Sequence, residues 1–468
     1  MIITDFLNQI KSLNSKFWLL NFIQMFEKMA YVIILLQMPI YLAQKDIAGG
    51  LYLEQTMKGY IFFAWAMVQR LTPFFTGGFT DKIGYKKTLF IASIIIVMSY
   101  IIMGTQKEFE IFLFSIMLLG FGSGLFLPAL QASIASTLKK ENESIGWGTY
   151  FMLLNLGAFF APIFSSYFKS LSWEMVFYGS AIIFSINFII LSFTPFVNNN
   201  IKFEHNVLAD IFKHFLKKEV FYFILLMSGF IMIYMQFYET FPNFFFDWID
   251  TRSVVTTLHL PESFLLKTEW GNMLSYEWIR LINSGIIIIA IVPFSWITGK
   301  MFRINALIIG IILASIGLLV CGISMSGWIS VIGIIIYTFG ELITNPKFTE
   351  QMNFLAKNGK KAMFMGFMNI SFALGLGGGA LLGGFIYKYF GEKAYLASDY
   401  VAWMYNVEPP KLTESMAVLM QYTGLNYEEA TQLLWNTYYP FWIWIFFIIF
   451  GLIAIFGLRK YANKFKFN

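Results

Sequence analysis

Long apolar runs separated by short, charge-bearing connections set the pattern of this chain. The stretches 89–103, 282–296 and 441–456 contain no Asp, Glu, Lys or Arg, and similar runs recur throughout. A bilayer core takes about 20 helical residues to cross, so the pattern predicts a polytopic helical membrane protein. A membrane barrel would show short segments of alternating polarity instead. Twelve spans are predicted, at about 17–43, 56–78, 86–105, 109–137, 146–168, 173–195, 219–246, 272–298, 304–325, 328–352, 361–390 and 438–459. Lys11 and Lys16 precede the first run without a small-residue cleavage site, so a retained span is expected there, not a signal peptide.

The longest connection between the sixth and seventh spans begins with Asn198-Asn199-Asn200 and then turns amphipathic. Val207, Leu208, Ile211, Phe212, Phe215 and Leu216 fall on one helical face, while Asp210, Lys213, Lys217 and Lys218 fall largely elsewhere. A helix lying on the inner leaflet is expected. The chain then divides into a first six-helix bundle (1–197), an amphipathic linker (198–218) and a second six-helix bundle (219–468). The halves echo each other weakly, with Leu71-Thr72-Pro73-Phe74 facing Ile291-Val292-Pro293-Phe294 at equivalent places. Segments 247–271 and 391–437 are unusually polar. The second, an insertion, is expected to hold two short helices, one ending at Gly424 and the next opened by an Asn426/Glu429 capping box.

Composition agrees with this reading. Hydrophobic residues make up 58% of the chain and charged residues only 13%, about half the share that soluble domains carry. The net charge of +6 is read as a loop-charge bias and not as a nucleic-acid footprint. Connections on one side, with both chain ends, hold 20 of the 33 Lys and Arg, which places both termini in the cytoplasm of a cell whose plasma (inner) membrane holds the protein. Cys321 stands alone, and His205, His214 and His259 lack zinc-ligand spacing, so neither metal nor cofactor is expected.

The connection after the second span reads Gly77-Gly78-Phe79-Thr80-Asp81-Lys82-Ile83-Gly84-Tyr85-Lys86-Lys87. Glycines permit a tight turn, an acid can sit at a helix N-terminus, and lysines can face anionic headgroups. This stretch resembles the loop signature of the major facilitator superfamily. The resemblance implies a fold of two pseudo-symmetric six-helix bundles and gives Gly77, Asp81, Lys82, Gly84, Lys86 and Lys87 a gating role.

Five further places resemble the proton-coupled oligopeptide transporters. They are Glu27-Lys28-Met29-Ala30-Tyr31 in span one, Leu71-Thr72-Pro73 in span two, Tyr150 to Gly157 in span five, Tyr238-Glu239 in span seven, and Gly340-Glu341 with Pro346 in span ten. The chain departs from that family at Gln24, Lys28, Val32, Ile33, Arg70 and Leu127. Two of these, Gln24 and Leu127, remove proton-site residues that the family carries.

Charges at membrane depth independently mark candidate sites. Glu27, Lys28, Arg70, Glu239, Arg280, Glu341 and Lys347 fall inside predicted spans. Such groups are expected to face a cavity or each other. Gln24, Glu27 and Tyr31 share a helix face, with Lys28 at its edge. Taken with the resemblance, which implies a substrate cavity, the substrate and proton set is Gln24, Glu27, Lys28, Tyr31, Asn155, Glu239, Asn283 and Glu341, of which Lys28, Tyr31, Asn155, Glu239 and Glu341 are expected to line one central cavity.

These features point to a secondary active transporter, working as a monomer by alternating access on a di- or tripeptide or peptide-like solute, with a proton as second cargo. A facilitator or symporter of another small anionic or zwitterionic solute, and a non-transporting sensor on the same scaffold, remain open alternatives. An intramembrane enzyme is disfavoured. No histidine falls in a span, and neither a His-Glu-x-x-His nor a Gly-x-Ser-x-Gly motif occurs.

Overall fold

The computed structural model describes residues 8–43, 50–51, 55–105, 107–196, 207–268, 271–274, 276–356, 360–412 and 414–465. Within them the chain is nearly all helical. The first six long helices are α1 (Ser15–Ala43), α2 (Gln55–Ile83), α3 (Tyr85–Thr105), α4 (Phe109–Ala135), α5 (Glu143–Leu171) and α6 (Trp173–Phe193). The short α7 (Val207–Phe215) follows, then α8 (Lys218–Glu239), α9 (Phe241–Trp248) and α10 (Arg252–Leu258). A hairpin of β1 (Leu265–Thr268) and β2 (Gly271–Leu274) is antiparallel, with Leu265 opposite Leu274. The remainder comprises α11 (Tyr276–Gly299), α12 (Arg303–Gly322), α13 (Gly327–Leu355), α14 (Lys361–Phe390), α15 (Lys393–Tyr405), α16 (Ser415–Thr423), α17 (Tyr427–Tyr438) and α18 (Trp442–Phe465).

Eleven helical segments among the described residues are long and apolar enough to cross a membrane. Helix α2 stands outside that set although it has 29 residues, because Gln69, Arg70, Thr72 and Thr76 dilute its apolar middle. Backbone economy explains the architecture. In hydrocarbon every N–H and C=O needs a partner within the segment, which a helix supplies by itself. Both faces can then be apolar. In α3, Leu89, Ala92, Ile96, Tyr100 and Met103 are buried, while Ile91, Ile94 and Met98 on the other side are exposed.

The contacts group into two compact units. The first contains Met1–Ile224, Ile287–Ile304 and Asn345–Ala373; the second contains Leu225–Ile286, Asn305–Thr344 and Leu374–Asn468. Within the first unit, α1 packs on α5 and α6, α2 on α4, and α3 on α4 and α6. The amphipathic linker is helical over Val207–Phe215, and it buries Ile211 completely. Gly84, at φ +97°, separates α2 from α3 with a backbone that side chains rarely adopt.

Several boundaries differ from the sequence reading. The seventh span, expected at 219–246, stops at Glu239, and Pro242 lies in the first turn of a new helix, α9. A proline there loses no hydrogen bond, since the first amides of a helix have no intrahelical partner. Residues 272–274, expected in the eighth span, belong to β2. The twelfth span begins at Trp442, four residues late, because Tyr439 adopts a left-handed cap that ends α17.

The insertion 391–437 carries three helices where two were expected. Helix α15 was overlooked; it ends on Asn406 at φ 52°, a conformation asparagine tolerates. The Asn426/Glu429 capping box forms at α17. Tyr387 and the Lys393 amide both donate to Asp247, and the Trp248 indole donates to Gly391 O at 2.7 Å. Arg252 bridges Asp250 (2.7 Å) and Glu428 (3.0 Å). Burial pushes the Asp247 carboxyl above the usual range, against the pull of Lys393.

Candidate functional site

In the first unit, the predicted stripe on α1 forms a polar chain through the helices packed around it. Gln24 Nε2 donates to Glu27 Oε2 at 2.8 Å. Tyr150 of α5 donates to Gln24 Oε1 at 3.3 Å, and Gln131 of α4 donates to the Tyr150 hydroxyl at 3.1 Å. Glu27 is only 5% exposed. One turn further along α1, the Tyr31 hydroxyl donates to Gln69 of α2 at 3.3 Å, and its ring lies 5.3 Å from that of Trp65.

Two cations stand beside this chain. The Lys28 ammonium lies 4.9 Å from the Tyr31 ring, and the Arg70 guanidinium lies 5.2 Å from the ring of Phe372 on α14. Facing lipid at the midplane, each would cost about 2.5–3.5 kcal/mol on insertion scales. A ring contact returns about 0.5–2 kcal/mol, so it offsets only part of that. Asn155 turns back on its own helix, donating to Phe151 O at 2.8 Å.

The second unit gathers a different set around Glu341, which sits at the middle of α13 and is 6% exposed. Tyr234 donates to its Oε1 at 2.9 Å, Tyr238 approaches both oxygens at 3.3 Å, and Asn283 donates to Oε2 at 3.1 Å. Asn283 also donates to Thr338 at 2.9 Å. Glu239 ends α8, but its side chain, like that of Arg280, lies outside the described residues.

The connection between α2 and α3 makes the third constellation. Asp81 accepts from the amides of Ala362 (3.2 Å) and Met363 (2.9 Å) and from the Tyr85 hydroxyl (2.9 Å). Those amides open α14 and have no partner within the helix, and an anion is favoured at that end by the helix dipole. Gly77 makes the approach possible, since a Cβ there would lie 2.5 Å from Ala362 O. Lys82 and Lys87 are exposed. Lys86 reaches the Phe196 ring at 5.7 Å, next to Lys16 at 5.4 Å.

Sequence reading missed an adjoining ionic network in the same unit. Arg303, at the start of α12, lies 2.9 Å from Glu350 and 3.5 Å from Glu143. Glu350 also pairs at 2.7 Å with Lys347, whose side chain is fully buried. Asn353 donates to Glu143 at 2.5 Å. Only the spacing of Lys347, Glu350 and Asn353 on one helix is visible along the chain; Arg303 and Glu143 come from separate helices. The linker joins this region through Lys360, which is 2.7 Å from Asp210 and 3.4 Å from His214 Nε2. Burial holds the His214 imidazole below its ordinary pKa, and Lys360 adds to this.

The sequence pattern of the Major Facilitator Superfamily matches residues 17–380. Multidrug resistance protein 2 of Bacillus subtilis is 31% identical over 99 residues, which is 21% of this chain and 25% of that protein. The chain thus aligns with only about a quarter of that relative's length. Among solved structures, the human organic anion transporter MFSD10 superposes with a TM-score of 0.58 at 13% identity, covering 93% of this chain and 99% of that one. A POT family transporter in complex with a thioalcohol-conjugated peptide gives 0.60 at 16% identity, covering 82% of this chain and 95% of that one. At such identities the structures speak to the fold, and they agree with a multi-pass helical membrane protein. The family match spans most of the sequence, and the chain belongs to the Major Facilitator Superfamily.

Proposed function

We propose that this protein is a secondary active transporter of a small organic solute, peptide-like or anionic, and that a proton is its second cargo. The observation that carries the proposal is Glu341, a buried carboxylate at the centre of a membrane helix, held by Tyr234, Tyr238 and Asn283. Sited there, it serves as the proton carrier. Gln24, Glu27, Lys28, Tyr31 and Asn155 of the first unit are assigned to solute binding, and Asn283 and Glu239 of the second unit are assigned with Glu341 to the proton step. Asp81 on the amides of α14 holds one gate shut, and transport requires it to release. The two six-helix halves, 1–197 and 219–468 with the linker 198–218 between them, are the bodies whose rearrangement gives alternating access. Both termini are placed in the cytoplasm by the loop charges.

The solute class follows from chemistry and draws support from the fold neighbours, which include peptide and organic-anion transporters. A second reading, export of amphipathic drug-like compounds, has its own support in the multidrug relative and in the Tyr31–Trp65 aromatic pair.

The test uses proteoliposomes and Glu341→Gln, which mimics the protonated side chain. The variant is expected to keep counterflow of the solute while losing uptake driven by an acidic exterior. Wild-type uptake that ignores the proton gradient, or a variant that still responds fully, overturns the proton assignment.

A further inference from the structure

We propose that Arg70 is an anion anchor, and that the solute is an apolar or aromatic carboxylate whose carboxylate group rests on this guanidinium. The role in transport rests on the reading above; the binding does not.

Arg70 lies at the middle of α2 and is partly exposed. Its one described contact is with the face of Phe372, 5.2 Å away. A phenyl ring carries no conventional hydrogen-bond acceptor, so this contact leaves the N–H fork of the guanidinium unserved. Among the described residues no carboxylate pairs with Arg70, and no hydrogen-bond acceptor is found for it. Two acceptors on α1 and α2 of the same unit hold other donors. Gln69 Oε1 receives the Tyr31 hydroxyl, and Glu27 Oε2 receives Gln24.

Lys28 adds a second positive charge on the neighbouring α1, over Tyr31. Among the described residues, Arg70 and Lys28 bring two positive charges and Glu27 one negative charge to α1 and α2, a balance that favours an anionic occupant. A carboxylate matches the arginine fork with two parallel bonds, which a lone ammonium cannot offer. The surroundings select the rest of the solute. Phe372 and Tyr31 are partly exposed rings on two helices of the same unit, with the buried Trp65 packed against Tyr31, so an apolar or aromatic body is expected beside the charged head.

The experiment measures binding to the purified full-length protein for N-acetylphenylalanine, benzoate and hexanoate, each paired with its carboxamide. At least one carboxylate is expected to bind about tenfold or more tightly than its amide. Arg70→Gln should weaken that carboxylate by about 10–100-fold and leave its amide within threefold, the range for a lost charge-assisted hydrogen bond. Arg70→Lys, which keeps the charge but not the fork, should lose about three- to tenfold, and it decides the matter if the glutamine variant does not fold. Amides binding as tightly as carboxylates, no binding by any of the three acids, or an unchanged preference in the variants overturns the proposal. Counterflow of the bound acid in proteoliposomes is scored separately. Binding that depends on Arg70 without counterflow would sink the transporter reading alone, and counterflow indifferent to Arg70 would sink the anchor alone.

Discussion

Asp81 and Met363 stand 282 residues apart in the chain, yet the carboxylate of one accepts the main-chain amide of the other at 2.9 Å. The acceptor sits near the end of α2 and the donor in the first turn of α14. A side chain from one helix thereby caps another, supplying what that helix cannot supply to itself. The same carboxylate takes the Ala362 amide and the Tyr85 hydroxyl, and its residue is 1% exposed. Such a contact is what the proposed gate at Asp81 would have to break.

Replacing this acid tests the gate. Asp81→Asn removes the charge that favours the α14 N-terminus, an effect of about 0.3–2 kcal/mol depending on burial. Solute affinity should change less than threefold while the transport rate falls about tenfold, since a gate residue alters the populations of the end states. A cysteine at Met363 in a Cys321→Ala background should also label faster. Equal losses in affinity and rate would remove Asp81 from the gate.

Close approach at the same place supplies a steric test. Gly77→Ala would set a Cβ 2.5 Å from Ala362 O and 2.8 Å from Met363 Cα, both main-chain atoms that cannot swing aside. Overpacking of this kind costs about 1–3 kcal/mol, so the melting temperature should fall. Gly377→Ala meets nothing within 4 Å, and it should be neutral or slightly stabilising through helix propensity. Equal behaviour of the two variants would contradict the contact.

The ionic network answers to a different substitution. Glu350→Gln takes the carboxylate from Lys347, whose side chain has no exposure to solvent, and from Arg303. Breaking a buried pair on one side costs about 3–5 kcal/mol, because the remaining charge stays buried. Adding Lys347→Met should recover part of the loss in a thermal unfolding assay. No recovery would mean that Arg303 alone accounts for the effect.

Acid should loosen the linker. Neutral His214 accepts from the Lys360 ammonium through Nε2, while Nδ1 faces Asp210, with the main-chain oxygen at 2.8 Å and a carboxylate oxygen at 3.1 Å. Protonation removes the acceptor and sets two cations 3.4 Å apart. Lys217 adds to the repulsion, and among the described residues Asp210 opposes it; Phe364 supplies a ring contact without charge. Burial depresses the folded-state pKa below the ordinary value of about 6.5. The contribution to stability is therefore complete above that ordinary value and is lost as the pH falls through the depressed one. Protease nicking in the linker should increase on acidification in the wild type and stay flat in His214→Asn. Parallel pH profiles would exclude this histidine.

The sequence by itself determined whatever neighbouring residues settle among themselves. Backbone groups in hydrocarbon must pair within their own segment, so the long apolar runs are legible as helices before any packing is known. The amphipathic linker, the capping box at Asn426 and the contact between Gln24 and Glu27 all follow from spacings of three and four residues. Charged groups at membrane depth stand out by their cost, which is why Glu27, Lys28, Arg70 and Glu341 were visible without a structure. Tertiary structure alone decided the partners. Nothing along the chain links Asp81 to Met363, Glu341 to Tyr234 or Arg303 to Glu143, because each pair joins separate helices whose rotation about their own axes is set by packing. The same holds for the break after Glu239 and for α15, where turn chemistry at Pro242 and Asn406 outweighed a hydrophobic run and a polar connection respectively. Periodicity reports which residues share a face; it cannot report which other face that one will meet.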